Sequence, residues 1–585
     1  MKLPSIHSRQ GIRNPVIIFT GLFLFCFHPH SLASINPSNG ARLNFTQVMF
    51  EYDEVPGSTH YIITISTEGD KKQAPIKIKN TSLACIVSDL EFGNSYKWHY
   101  EAFKKNKSIF KSEDYSFSII AYYLVDTTLF RSKIDLSKKG AFHNDIIILD
   151  YLGVAIDRQG KPIWYYPFHP TEGNSAPNFR NMRMTRGGTI TFLDNTDCFE
   201  TDLSGKILWK APNDGKISGE AIEFYHHDFR KLDDGSYVTS SYQFVKESNF
   251  YNPSVTSRVR YNTLIQYDIS GNVLWSWNEK DHIGKDVIFR DYGSEATEVE
   301  GTHLNGFDYD AVDDAFAISF RNNSSILKID KKSGNVIYDL GVYNIQNRKQ
   351  RSTPWFARQH GPVILPGHQL LIYNNNVTDD SSRRVTYPEV LIVKEPENGR
   401  EASKVWEYEC RSDRFPHGIT GKEGYAVPLP NGNILVCMGG VNYTFEVTPE
   451  KQIVWQCSFE KYDDKQKTWT GFNNYRCNFA SSLYTKYFTL QYSNEKKSKK
   501  KSYETARINN EGTDEDNYRV EAVLADGITK IFSDTITLKG RSSQTVKIPL
   551  DTKKMNGGII VLVTSLFNPS GSKFLVLKEA DLTKK

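Results

Sequence analysis

Three stretches of the chain share one pattern: DRQGKPIWYY at residues 157–166, DLSGKILWKA at 202–211 and DISGNVLWSW at 268–277. Each begins with aspartate, turns at a glycine and continues into a short β-prone run that carries tryptophan. This combination predicts a tight turn that leads into a strand. Longer or weaker copies occur at 330–340, 402–409 and 448–457. The chain therefore repeats one turn-and-strand unit along its middle.

A second phrase alternates with the first and reads as strand, polar turn, strand. Its copies are KLDDGSYVTSS at 231–241, YDAVDDAFAIS at 309–319, VILPGHQLLIY at 363–373, PLPNGNILVCM at 428–438 and, more weakly, TRGGTITFL at 185–193. We take HNDIIILDYLGVAID at 143–157 as the version in the first repeat. Alternating hairpins without helical periodicity predict an all-β fold, a six-bladed β-propeller, because a closed ring leaves no long unpaired strand edge. A linear β-solenoid would show shorter and more regular repeats.

The segments on either side of the repeats differ from them. Residues 34–125 contain alternating runs such as STHYIITIST, which predict an N-terminal β-sandwich of the fibronectin type. Residues 126–490 would form the propeller, and 491–585, which begin with a lysine-rich run, a small C-terminal β extension. The net charge of +4 is small for 585 residues and argues against a nucleic-acid partner.

The N-terminus is typical of an export signal. Lys2, Arg9 and Arg13 precede an apolar run at 16–27, and small residues follow at Ser31 and Ala33. We predict that residues 1–33 are a signal peptide and that the mature protein is periplasmic or secreted, with no membrane span. A retained N-terminal anchor is the alternative.

Export to an oxidising compartment would permit disulfides. Once Cys26 has left with the signal peptide, six cysteines remain. Four of them, Cys410, Cys437, Cys457 and Cys477, lie between residues 410 and 477, which predicts one or two bridges there.

Polar residues interrupt the β pattern at three places, each directly before a copy of the second phrase. His226 and His227 stand at the first, His303 and Asn305 at the second, and His360 at the third. A single histidine at a strand start is more often structural than catalytic, and His368 in a turn fits that description. Three consecutive repeats that begin in this way instead predict a cluster at the axis of the ring, where propellers bind ligands.

The residue types in this predicted cluster favour the binding of an anion. Arg321 ends the return strand of the second hairpin and can come back toward His303. Three histidines could bind zinc, but a nearby guanidinium would repel a cation and suits an oxyanion instead. These residues leave two functions open. One is a metal-dependent hydrolase that uses the same histidines, and the other is a non-catalytic propeller that binds anionic ligands or surface partners.

The chain resembles the bacterial arylsulfate sulfotransferases over roughly residues 35–485. The resemblance rests on HHDFRKLDDGSYV, THLNGFDYD, SFRNNSSILKID, RQHGPVILPGHQLLIYNNN, RRVTYPEVL and LPNGNILVCMGGVNYTFEVTPEKQIVW, which occur in the order of the family. It implies an exported transferase that moves a sulfuryl group from a phenolic sulfate ester to a phenol. The implied mechanism is ping-pong, through a sulfohistidine, without the nucleotide sulfate donor and without cofactor or metal.

The resemblance also assigns roles. It implies that His360 is the nucleophile, that His303 and Asn305 bind sulfuryl oxygens and handle the phenolic proton, and that Arg321 neutralises the sulfate. One of His226 and His227, with His227 preferred, would be the remaining histidine of the channel. The sequence departs from the family where Phe-Asp-Asn-Gly is replaced by Tyr-Asn-Asn-Asn at 373–376.

Two further expectations complete the picture. The nucleophile must be neutral, so activity should fall as the pH drops through the histidine range. The oligomeric state stays open, with a homodimer as one option.

Overall fold

The turns of the first phrase are built by their aspartates. In the computed structural model, the Asp157 carboxylate accepts hydrogen bonds from the backbone N–H of Gln159 and Lys161 at 2.9 and 2.8 Å. Asp202 and Asp268 make the same pair of contacts two and four residues further along the chain. The glycine of each turn has φ between +82° and +83°, which glycine adopts without strain. The repeated phrase is therefore a repeated Asx turn.

The structure describes residues 35–69, 73–122, 125–143, 145–168, 178–341, 343–344, 349–350, 355–377, 387–411, 421–492, 503–524, 529–549, 559–566 and 572–577. The predicted signal peptide and the lysine-rich run at 496–501 lie outside these ranges. Within them, no helix has the length and apolar character needed to cross a membrane.

Within these ranges the regular secondary structure is almost entirely β-strand, which confirms the all-β class. The strands before the repeats are β1 Ala41–Leu43, β2 Val48–Glu51, β3 His60–Thr67, β4 Ile76–Asn80, β5 Ala84–Val87, β6 Ser95–Lys104, β7 Lys107–Lys111 and β8 Tyr115–Ile119. The next are β9 Phe130–Ser137, β10 Ile146–Leu149, β11 Val154–Ile156, β12 Pro162–Tyr165, β13 Phe179–Met184, β14 Ile190–Asp194, β15 Asp197–Thr201, β16 Ile207–Lys210, β17 His226–Lys231, β18 Tyr237–Ser248, β19 Thr256–Tyr267 and β20 Val273–Asn278.

The chain then forms single-turn helices α1 Glu279–His282 and α2 Lys285–Ile288. The strands that follow are β21 Glu298–Glu300, β22 Leu304–Asp310, β23 Ala315–Phe320, β24 Ser325–Asp330, β25 Val336–Gly341, β26 Tyr343–Asn344, β27 Lys349–Gln350, β28 His360–Leu365, β29 Gln369–Asn374, β30 Glu389–Lys394, β31 Ser403–Glu409, β32 Tyr425–Pro428 and β33 Ile434–Met438. A 3₁₀ turn, Gly439–Val441, comes next. The remaining strands are β34 Tyr443–Val447, β35 Ile453–Asp463, β36 Thr468–Gly471, β37 Cys477–Ala480, β38 Phe488–Tyr492, β39 Tyr503–Asn510, β40 Asp516–Leu524, β41 Lys530–Leu538, β42 Ser543–Pro549, β43 Ile559–Ser565 and β44 Ser572–Leu577.

The repeats fold into successive sheets that are antiparallel except for the parallel pair of β19 and β21. Their strand orders are β12-β11-β10-β37, β13 to β16, β17 to β20 with β21 beside β19, β22 to β25, β28 to β31, and β32 to β36 with β9 beside β35. The first strands of neighbouring sheets contact one another in turn: β13 with β17, β17 with β22, β22 with β28, β28 with β32, and β37 with both β32 and β13. Each of these strands therefore lies beside the corresponding strand of the next sheet.

The first sheet differs from the expectation in one respect. The turn of 143–157 joins β10 to β11, which are the second and third strands of the sheet. Its innermost strand is β37, which pairs with β10 in the register Ile146 to Ala480. Sheet pairing across more than 300 residues cannot be read from a local phrase.

The N-terminal strands form a sheet in the order β1-β8-β6-β3-β4, with β7 beside β6, and a separate pair, β2 with β5. Their apolar faces share one core with the first two sheets of the repeats, in which Trp98, Trp164 and Phe192 are buried. The C-terminal strands form two more sheets, β38-β39-β42 and β41-β40-β43-β44, around a core of their own.

The structure does not contain the one or two disulfides predicted between residues 410 and 477. All six described cysteines are free thiols. Thr444 is the cross-strand partner of Cys437 on one side and of Cys457 on the other, and its hydroxyl lies 3.4 Å from the Cys477 sulfur. A threonine hydroxyl thus lies among these three buried thiols.

Candidate active site

The first strands of the middle sheets are irregular at the end where the polar residues stand. The pairing register shifts between His226 and Phe229 in β17, between Leu304 and Gly306 in β22, and between His360 and Val363 in β28. A bulge leaves residues unpaired and redirects their side chains. His227 and His303 have φ of 58° and 59°, a left-handed conformation that histidine seldom adopts. The backbone is thus shaped around the predicted site residues.

Three of the predicted histidines lie in contact. The Nδ1 atoms of His226 and His227 are 2.8 Å apart, and the His227 ring centroid lies 4.9 Å from that of His303. The His226 ring stacks on Tyr242 at 3.9 Å between centroids. Within the doublet, His227 therefore faces His303, and His226 lies behind it. Burial, together with the neighbouring imidazoles, holds the pKa of His227 well below its ordinary value.

His360 is fixed at both ring nitrogens. Its Nδ1 lies 2.6 Å from Oδ1 of Asn375. The Asn375 amide donates from Nδ2 to the Glu423 carbonyl at 3.0 Å, so its oxygen is the atom left to accept from Nδ1–H. The lone pair of His360 then lies on Nε2, which accepts the backbone N–H of Glu423 at 3.2 Å. Burial, opposed by Asn375 and reinforced by the charges of Arg321 and Arg476, lowers the pKa of His360 to about 3.

Residues 373–376, where the sequence differs from the family, still form a defined turn. The Asn374 side-chain oxygen accepts the backbone N–H groups of Ala357 and Asn376 at 2.9 and 2.8 Å. Asn376, which stands where the family has glycine, has φ of 54°, and asparagine tolerates this region better than most residues. Asn375 retains the family residue and holds His360.

Arg321 lies between His303 and the segment that contacts His360. Its backbone N–H donates to the His303 carbonyl at 3.0 Å, and its guanidinium donates to the Gly421 carbonyl at 3.0 Å. Asn305 is buried and donates from Nδ2 to the Gln359 carbonyl at 2.7 Å, so it braces the residue before His360. Asn305 of β22 thus contacts the residue before His360, and Arg321, just after β23, contacts the segment that holds its Nε2.

Sequence reasoning missed several polar residues around this cluster. Arg476 is fully buried and donates to Asp228 at 3.0 Å and to the Asn305 carbonyl at 3.0 Å. The Tyr475 ring lies 6.3 Å from His227, and the charge of Arg180 helps to lower the pKa of His227, which burial lowers most. The signal was present in FNNYRCNF at 472–479, a polar stretch before an inner strand like the three that were recognised.

Several buried polar atoms at this site have no hydrogen-bond partner among the described residues. They include Nε of Arg180 and Oδ1 of Asn305. Buried polar groups are normally satisfied by protein, water or ligand. The region therefore has unused capacity to bind a polar group.

Among the described residues, the group of side chains close enough together to hold a metal does not include the site histidines. In the part of the chain that the structure describes, the cluster whose ligand atoms lie within 4.8 Å of one another is Asp313, His368 and Glu395. The Lys328 ammonium lies 2.7 Å from carboxylate oxygens of both Asp313 and Glu395, and there it supplies the positive charge that a metal would bring.

Comparisons with known proteins identify the family to which the chain belongs. The model of the arylsulfotransferase (ASST) family matches residues 137–519, well over half of the chain. No curated protein sequence matches the chain. Similar solved structures include a Bacteroides caccae protein of unknown function, with 13% identity, a TM-score of 0.35, and coverage of 57% of this chain and 97% of that one.

Two further solved structures are a streptogramin B lyase and the Cps50 (Swd1) β-propeller domain of Myceliophteria thermophila. The first has 10% identity, a TM-score of 0.32, and coverage of 56% of this chain and 87% of that one. The second has 10% identity, a TM-score of 0.31, and coverage of 56% and 89%. At such scores these likenesses carry no argument, and the family match alone decides. The chain belongs to the arylsulfotransferase family.

Proposed function

We propose that this protein moves a sulfuryl group from a phenolic sulfate ester to a phenol, through a sulfohistidine on Nε2 of His360. The observation that carries the proposal is the fixed tautomer of His360, whose Nδ1 meets the Asn375 oxygen at 2.6 Å. A neutral imidazole with its lone pair directed away from its anchor is the form that attacks sulfur. Family membership supports the same reaction.

The neighbouring groups suit the developing charge. Sulfuryl transfer, like phosphoryl transfer, spreads charge over peripheral oxygens, so positioning and electrostatics dominate. In the proposal, Arg321 and the backbone N–H of Glu423 stabilise these oxygens, with His227 and Asn305 beside them. The Glu423 N–H already reaches Nε2 at 3.2 Å, so it lies close to any group bonded to that nitrogen.

The proposal has an architectural and a cellular part. The six sheets would form the blades of one closed propeller, with the site at the axis where their first strands meet. Residues 34–125 would be an N-terminal sandwich and 491–585 a C-terminal extension, and residues 1–33 would direct export and then be removed.

The reaction is tested with purified protein, 4-nitrophenyl sulfate and phenol, with and without a chelator. We expect phenol-dependent release of 4-nitrophenol that the chelator leaves unchanged. His360→Ala should lose turnover by a factor on the order of 10³ or more, because a missing nucleophile removes the covalent route. Mass spectrometry of protein treated with donor alone should find one sulfuryl group on His360.

His368→Ala is the matched control, because this half-exposed histidine lies in a turn eight residues away in sequence, with Nδ1 3.5 Å from Asp313. Release that the chelator abolishes would support the metal-dependent hydrolase instead. Full turnover by His360→Ala would refute the proposed nucleophile.

A further inference from the structure

A carboxylate contacts the Nδ1 side of the His303 ring. Glu300, at the end of β21, lies with Oε1 2.8 Å from Nδ1 of His303. Both side chains are about one-fifth exposed, so the pair lies at the border between the buried cluster and solvent. Neither the recognised motifs nor the proposed function uses this residue.

Glu300 is itself held in place. The Tyr242 hydroxyl donates to the same oxygen at 3.2 Å, and Arg260 lies 3.7 Å from the other oxygen. The Tyr292 hydroxyl accepts the backbone N–H of Glu300 at 3.0 Å. Burial raises the pKa of Glu300, but the hydrogen bond from His303 and the charges of His303 and Arg260 outweigh it and lower this pKa to about 2. The carboxylate is therefore ionised and can only accept, which places a proton on Nδ1 of His303 and leaves Nε2 for exchange.

The partners of the site histidines differ in kind. Nδ1 of His360 meets a neutral amide oxygen, which fixes the tautomer and stabilises a positive charge less than a carboxylate would. Nδ1 of His303 meets a carboxylate, which stabilises an imidazolium. A nucleophile must stay neutral, whereas an acid must carry a proton that it can give away. The two environments match two different tasks.

We propose that Glu300 is a positioning residue that makes His303 the proton donor and acceptor of the transfer, an inference that rests on the proposed function. In the first half-reaction His360 Nε2 forms the N–S bond, the S–O bond to the aryl group breaks, and its electron pair remains on the phenolic oxygen. That oxygen takes the proton from Nε2 of His303. In the second half-reaction the acceptor phenol gives its proton to His303, its oxygen attacks sulfur, and the N–S electron pair returns to His360.

The test is a single-turnover measurement of phenol release by Glu300→Gln with two donors. Phenyl sulfate needs a proton on its leaving oxygen, whereas 4-nitrophenolate leaves without one. We expect the rate with phenyl sulfate to fall on the order of 10²-fold, and that with 4-nitrophenyl sulfate to fall less than about fivefold. Glu298→Gln is the matched control: the same substitution in the same strand, on a side chain that is 63% exposed and faces Arg258.

Equal loss with both donors would show that Glu300 acts only on structure and would overturn the proposal, as would no loss with either. If Glu300→Gln does not fold, Tyr242→Phe is read in the same way. It removes one hydrogen bond to Glu300 and keeps the ring against His226, so a smaller effect confined to phenyl sulfate is expected, and an equal effect on both donors overturns the proposal. A wild-type protein that transfers nothing would instead refute the proposed function itself.

Discussion

At the scale of single residues, the central fact is the contrast between a buried neutral imidazole and the charges around it. His360 is 3% exposed and has its Nδ1 proton fixed by Asn375. A histidine that is exposed titrates near pH 6.5, which is the basis of the expectation that activity falls through that range. Burial leads to a different expectation, because it lowers the pKa of His360 to about 3.

We therefore predict a flat acid limb for the first half-reaction. With 4-nitrophenyl sulfate, whose leaving group needs no proton, the single-turnover rate should change less than about threefold between pH 7.5 and 5, because His360 stays neutral. Samples are quenched into alkali so that released 4-nitrophenol is read at one pH. A loss of rate with a midpoint between pH 6 and 7 would contradict the assignment of His360 as a deeply buried nucleophile.

At the scale of strands, carboxylates tie neighbouring first strands together. Asp228 accepts the backbone N–H of Phe307 at 3.2 Å, and Asp308 accepts that of Ile364 at 2.8 Å. Asp150 likewise accepts N–H groups of Asn181 and Arg476 at 3.0 and 2.9 Å. These contacts satisfy backbone donors on or next to strands that end their sheets and so have a ladder partner on one side. The irregular strand ends are thereby positioned relative to one another.

Close approach of two strands gives a prediction at this scale. A Cβ on Gly306 of β22 would lie 2.7 Å from the Cα of Gly361, the residue after His360. Gly306→Ala should therefore push β28 away, reducing the free energy of unfolding by roughly 1–3 kcal/mol and lowering kcat. Denaturant unfolding and turnover measure the two effects. Gly293→Ala is the control, because nothing lies within 4 Å of its added carbon; a Gly306→Ala variant as active as this control would show that β28 does not depend on that contact.

The same scale shows what could be read from the sequence. The Asp-x-x-Gly turns act through contacts of two to four residues, so the hairpins were predictable from local phrases. His227 and His303 were predictable as neighbours because they occupy matching repeat positions. Arg476 was missed because it follows the last recognised repeat, although a polar stretch precedes its strand. Glu300 was not predictable, since it lies in β21, an added strand. The role of Asn375 depends on the direction of its amide, which only the contact with the Glu423 carbonyl reveals.

At the scale of the whole molecule, the site carries a cost in stability at low pH. His226, His227 and His360 are all held neutral, and burial is the largest cause of each lowered pKa. Below about pH 6.5 these histidines become protonated in the unfolded chain but stay neutral in the folded chain. The free energy of unfolding therefore falls as the pH drops below that value. The full contribution of these groups is present above pH 6.5.

We predict that this slope depends on the individual histidines. Each buried neutral histidine contributes about 1.4 kcal/mol per pH unit once the unfolded chain is protonated. Urea unfolding of His360→Asn between pH 4.5 and 6 should therefore show a slope lower by about that amount, whatever its stability at pH 7. His368→Asn, the same substitution in the turn at 366–368, is the matched control for the loss of an imidazole. An unchanged slope in His360→Asn would mean that this imidazole is protonated in the folded protein.

The position of β37 has a consequence for how the molecule is made. This strand, at Cys477–Ala480, supplies the inner edge of a sheet whose other strands begin at Ile146. A ribosome adds about 5–20 residues per second, so β10 waits for tens of seconds before its partner exists. During synthesis Asp150 also lacks the Tyr475 and Arg476 amides that it later holds. The nascent chain must keep an open strand edge shielded until the last inner strand arrives, and only then can the catalytic groups assemble.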